Sequence, residues 1–248
     1  MSARLDGMLF GQEELSLPRR LALALVRPGR SFAAVAGRES AADWLAPALL
    51  ACAVGLVAHF ATVHLVTDPN SPYVQRAMQA MDEAAREKYL QGAQVLRAHG
   101  WLMVPVGVFS SLVVVGALVM VVARALFGAE LSFRQALVLK GYGTMALIPE
   151  WLVRTPLLLW TGNPDVRTGP LPLVAPGQAR DLLTRVLAGI NFFDLWQVWI
   201  VASGVAVLGG TSARRSAVAL AALYLAWVVA GAWLEGVRAP APGPVGPG

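Results

Sequence analysis

Apolar residues in this chain come in blocks long enough to cross a lipid bilayer, and that narrows its fold more than any other feature. The blocks run from Trp44 to Val66, Trp101 to about Val122, Arg134 to Trp160, about Val186 to Leu208, and Ser216 to Leu234. A hydrocarbon core of roughly 30 Å takes about 20 helical residues to cross. Composition agrees: 56% of the residues are hydrophobic and 14% are charged, against roughly 25% charged in a soluble domain. The expected fold is all-α: a polytopic membrane bundle of five transmembrane helices. An amphipathic segment precedes it, and an extramembrane helix lies between spans one and two.

Residues 1–43 read as a cytosolic, interfacial segment. Leu21 to Val26 follows Arg19 and Arg20 and is stopped by Pro28, and a second short helix runs through Phe32 and Val35. Apolar stretches too short to span, with basic flanks, lie in the headgroup plane. No cleavable leader is expected, so the first span serves as its own targeting signal. The loop 67–100 holds an amphipathic helix, with Ser71 as its cap, Pro72 at its first position, and Val74, Met78, Met81, Ala85 and Tyr89 at helical spacing. The membrane domain is 44–234. The tail 235–248, rich in Pro and Gly, is expected to be disordered.

Orientation follows from counting Lys and Arg in the loops. With the N-terminus inside, the inner segments hold 11 such residues and the outer segments 8. The turn with Arg214 and Arg215 falls inside, and Trp101, Trp160 and Trp233 fall at the outer interface. The formal charge of +5 is what loop charges of this kind produce and calls for no nucleic-acid partner. Cys52 is the one cysteine, so no internal disulfide forms.

The informative residues are polar groups inside spans. Glu150 and Arg154 stand four apart in the third span and can pair across one helix face. With Lys140 and Thr144 they fall within a wedge of about 120°, provided Pro149 does not swing the two halves apart. Asn191, Asp194 and Gln197 make a second stripe on the fourth span, and Asp194 lies at roughly the depth of Glu150, about 12 Å against 15 Å from the outer boundary. A charge at the bilayer centre costs at least about 2.5–3.5 kcal/mol on insertion scales, and pairing reduces that. The two stripes are therefore expected to face each other. They form either a register-fixing polar network or a substrate, ion or proton site. Pro149 and Pro156 interrupt the third span, as kinks or as the walls of a cavity.

Other patterns carry less. Gly141-Tyr142-Gly143 lacks the pore helix and re-entrant loop of a potassium filter, and its glycines are expected to let helices approach closely. His59 and His64 point about 140° apart on a helix, which is no metal pair. No phosphate loop, dinucleotide fingerprint, nucleophile elbow or zinc-protease helix is present. No catalytic residue, metal or cofactor is assigned.

Taken in order, several motifs coincide with a known family. Pro28-Gly29-Arg30-Ser31-Phe32 precedes the first span. Gly128 with Leu131-Ser132-Phe133 follows the second. Gly141-Tyr142-Gly143 and Ile148-Pro149 lie in the third, and Asn191-Phe192-Phe193-Asp194-Leu195-Trp196 opens the fourth. Over roughly 18–235 the chain resembles the Yip family of five-span membrane proteins (Ypt-interacting proteins), in its bacterial branch. The resemblance implies a cytosolic N-terminus and an outer C-terminus. Eukaryotic relatives are implicated in vesicle trafficking and bind Rab-type GTPases. The long N-terminal region and acidic element of those relatives have no counterpart here, so Rab binding is not carried over. The high Arg, Ala, Gly and Val content suits a GC-rich bacterial gene, and hence an inner-membrane location.

The expected function is a non-enzymatic membrane scaffold or accessory subunit. Its partners are the lipid bilayer and either other membrane proteins or a second copy of itself. The alternative is a small-solute, ion or lipid transporter or channel lined by Glu150, Arg154 and Asp194.

Overall fold

A computed structural model describes residues 15–38, 40–79, 81–171 and 181–238 of the chain. Every regular element among them is helical.

Two short helices come first, α1 (Leu17–Val26) and α2 (Pro28–Val35). Proline disfavours helical backbone in the residue before it. Arg27, at φ −142° and ψ 61°, breaks the two helices apart just ahead of Pro28. The pair packs onto the bundle. Leu21, Ala24, Phe32 and Val35 join the main apolar core beside Leu139, Tyr142 and Val205. The reason is that the apolar face of α1–α2 finds a complementary surface on the bundle. Residues 1–14 lie outside the described part.

The first span is α3 (Ala42–Thr62), followed by the single turn α4 (His64–Thr67). The amphipathic helix expected after Pro72 is in fact two, α5 (Pro72–Gln79) and α6 (Glu83–His99). Asp82 starts the second by accepting the Ala85 N–H at 2.7 Å, a side-chain cap. Ser71, expected to cap the first, instead donates its hydroxyl to the Leu65 carbonyl at 2.8 Å. A 3-10 turn at Gly100–Leu102 carries α6 into α7 (Met103–Phe127). The result is one helical run of 45 residues. It ends at Gly128, whose φ of 63° is left-handed backbone that glycine adopts without steric cost.

Helix α8 (Phe133–Thr144) opens with a capping box between Ser132 and Gln135. It packs against α3, α7 and α11 and forms the centre of the bundle. Without a hydrophobic drive between helices in lipid, close approach and interhelical hydrogen bonds hold them together. The glycines of α8 supply that approach. A Cβ on Gly141 would sit 3.0 Å from the Trp44 backbone, and one on Gly143 would sit 2.8 Å from Val201.

After Thr144 the chain breaks before α9 (Leu147–Thr161). Pro149 explains the position of the break. It offers no N–H to the carbonyl four residues back and its ring crowds that carbonyl. The Met145 carbonyl accepts instead from Ile148 at 3.2 Å, and Pro149 itself sits harmlessly in the first turn of α9. Pro156 lies inside α9 without ending it.

The fourth apolar block is also broken. Helix α10 (Leu182–Gly189) meets α11 (Phe192–Leu208) at 61°. The expected continuous span from Val186 is thus corrected: Asn191 caps α11 by accepting the Phe193 N–H at 2.9 Å, which forces a turn there. Asp194 therefore lies in the first turn of α11, not two turns into a longer helix. The last helix, α12 (Ala213–Arg238), runs past the expected end at Leu234. Residues 235–238 are thus helical, and the rest of the predicted tail lies outside the described part.

Three helical stretches are long and apolar enough to cross a bilayer: α3, the α6–α7 run and α12. Among the described residues these are three, or four if the bent pair α10–α11 is one broken span. Helices α8 and α9 have 12 and 15 residues. At 1.5 Å per residue each alone falls short of roughly 30 Å.

Candidate functional site

The polar residues of the third and fourth blocks meet in pairs across α8, α9 and α11. Glu150, buried in α9, accepts from the Asn191 side-chain amide at 2.7 Å. Asn191 is held from three sides. Its side-chain oxygen caps α11, accepts from the Thr168 hydroxyl at 3.0 Å, and its backbone N–H donates to the Tyr224 hydroxyl at 3.1 Å. Lys140, buried in α8, donates to the Gln197 side-chain oxygen. The Tyr224 hydroxyl, from α12, reaches the Asp194 carboxylate at 3.5 Å.

Arg154 takes no part in this layer. Its Nε donates to the Val166 carbonyl at 3.2 Å, and no ion pair joins it to Glu150. Spacing alone placed them on one helix face, but the Asn191 amide reaches Glu150 first. The break after Thr144 likewise separates Lys140 from Glu150, so the single wedge becomes two local contacts with α11.

A second polar cluster escaped the sequence reading. Arg20 of α1 and Asp43 of α3 form an ion pair at 2.9 Å, with side chains 7% and 1% exposed. The Tyr142 hydroxyl donates to the same Asp43 oxygen at 3.1 Å, and Ser31 Oγ donates to the Arg20 carbonyl at 2.8 Å. Arg20 Nε and Asp43 Oδ2 remain without hydrogen-bond partners. One signal was available: an acid in the first turn of a span, next to Trp44, has to find a partner. Nothing in helical periodicity points to a residue 23 positions earlier.

Of the motif positions, Phe32 and Tyr142 lie at this cluster. Phe32 is fully buried, its ring 5.4 Å from that of Tyr142. A Cβ on Gly204 would meet Phe32 at 2.7 Å and Leu139 at 2.2 Å, so α2 and α8 close onto α11 where that residue is glycine. The Trp196 indole donates to the Leu25 carbonyl at 3.0 Å and ties α11 to α1. Gly128 and Ser132 shape the turn from α7 to α8, and Phe133 stays exposed. Pro149 sets the break between α8 and α9.

The same stretch of chain, residues 22–234, matches the family model of the Yip1 domain. The chain belongs to the Yip1 family. No curated protein and no solved structure matches it. As a Yip1-family chain with several apolar helices of spanning length, it is an integral membrane protein. Among the described residues no cluster of His, Cys, Asp and Glu could hold a metal ion.

Proposed function

We propose that this Yip1-family protein is a non-enzymatic scaffold or accessory subunit of a bacterial inner membrane, binding other membrane proteins or a second copy of itself through its spans. In this reading α8 and α9 together make a fifth span, with the N-terminus cytosolic and the C-terminus outside. The excess of basic residues in the inner loops supports that orientation.

One observation carries the reading. Polar side chains where α8 and α9 meet α11 are bound to protein groups: Glu150 to Asn191, Lys140 to Gln197 and Asp194 to Tyr224. Buried polar groups satisfied in this way fix helix register. The surface left for recognition is then the apolar exterior. Of the three long apolar helices, α12 is the least covered, with 17% of its apolar window buried against 33% in α3 and in the α6–α7 run. It displays Trp227 and Leu225 outward.

The test is photocrosslinking in native membranes from an unnatural residue at Trp227 or Leu225. Adducts with a discrete membrane protein, or with a second copy, are expected. Adducts with lipid alone, from both positions, overturn the reading.

A further inference from the structure

A cavity of about 300 Å³ opens between the C-terminal half of α3, the end of α6 and the second half of α9. That is the lower end of the range for ligand pockets, roughly 300–1,000 Å³, and about the volume of ten waters. It lies where α3 ends at Thr62 and where α7 begins at Met103, so it sits at a membrane–water boundary. Arg154 and Thr155 line one side, His59 another, and Leu96 and Leu158 supply apolar wall.

The chemistry is one-sided. Arg154 contributes the charge, and no carboxylate lines the cavity. Among the described residues the guanidinium is bound only through Nε, to the Val166 carbonyl. Its two terminal amino groups remain for a ligand. A guanidinium offers a planar fork of donors that fits a phosphate. Glu150, one turn earlier, is hydrogen-bonded by Asn191 and feels the Arg154 charge through space, but does not line the cavity. His59 Nε2 is buried without a hydrogen-bond partner, a second polar atom left incomplete beside the same void. Charge, apolar wall and position at the helix ends together describe a headgroup site.

We propose that this cavity binds the phosphate of an anionic phospholipid, with Arg154 as the anchoring residue and Leu96 and Leu158 against the start of an acyl chain. The inference does not rest on the scaffold reading, since α12 and this cavity use different surfaces.

The full-length chain in detergent, titrated with phosphatidylglycerol or phosphatidylcholine and followed by native mass spectrometry, tests it. Phosphatidylglycerol should bind at least about tenfold more tightly, and Arg154→Gln should weaken it by about tenfold to a hundredfold, the value of a charge-assisted hydrogen bond. Ala58→Leu, which grows into the cavity from α3, should weaken phosphatidylglycerol while keeping Arg154 in place. Should Arg154→Gln fail to fold, the wild-type lipid comparison and Ala58→Leu still decide. Equal affinity for the two lipids, or phosphatidylglycerol binding unchanged in Ala58→Leu, overturns the proposal. So does inorganic phosphate at millimolar concentration abolishing the lipid preference, which would make this a site for the free ion.

Discussion

Removing either charge of the Arg20–Asp43 pair is expected to destabilise the bundle, and removing both to restore most of the loss. The pair is buried on both sides and joins α1 to α3. Asp43→Asn keeps an oxygen for the Tyr142 hydroxyl but leaves Arg20 charged without a counter-ion. Arg20→Met leaves the Asp43 carboxylate with the Tyr142 hydroxyl but without Arg20 as its counter-ion. A buried charge stripped of its partner costs about 3–5 kcal/mol, whereas replacing both members with neutral groups is often near neutral. Arg20 Nε and Asp43 Oδ2 are already without partners, so the wild-type pair is only partly satisfied and its joint replacement loses less than a fully bonded pair would. At about 2–4 °C per kcal/mol for a chain of this size, each single variant should melt about 6–20 °C lower. The double variant should lie within about 2 kcal/mol of wild type. Thermal unfolding of the detergent-solubilised protein, read by tryptophan emission, measures all four corners of the cycle. If the double variant loses the sum of the two singles, the residues do not act as a pair and the reasoning fails.

Glu150→Leu should cost about 1–3 kcal/mol, because the Asn191 amide loses its buried acceptor. Glu150→Gln, which keeps an oxygen there, should cost clearly less in the same melting assay, and equal losses would argue against the bond. Outside the membrane, burial first, and then the charge of and hydrogen bond to Asp165, hold the Tyr73 phenol above its ordinary range. A raised value means that the stability Tyr73 contributes is complete below its unfolded value of about 10, and is lost as pH rises through the folded one. The difference in phenolate absorbance between wild type and Tyr73→Phe should therefore appear later in an alkaline titration than for a free tyrosine. Asp165→Asn should move it only part of the way back, since burial remains.

The helical class, the apolar blocks and the glycine contacts of α8 were legible because each is written in local composition. The end of the second span was legible at Gly128, whereas Ser71, read as a cap, bonds the Leu65 carbonyl instead. The partners of polar residues were not legible. Glu150 and Arg154 have ideal spacing on a helix face, yet their hydrogen bonds go to Asn191 at the α11 boundary and to the loop carbonyl of Val166. Asp194 stands in the first turn of α11 because Asn191 caps a new helix in the middle of an apolar run. Hydropathy does not register that event. Arg20 and Asp43 were invisible as a pair, since only the docking of α1 onto the bundle brings them together.

The α6–α7 run has a mechanical consequence. Its 45 residues amount to about 65 Å if straight, roughly twice the hydrocarbon thickness. The last 25 residues suffice to cross, so α6 stands off the membrane as a mast about 25 Å tall. The Tyr89 hydroxyl, bonded to the Val66 carbonyl at 3.0 Å, stays that mast to the top of the first span. A rocking of α7 by about 10° within the bilayer would swing the far tip by about 4 Å, so a small rearrangement among the buried helices becomes a displacement that a neighbour outside the bilayer can feel.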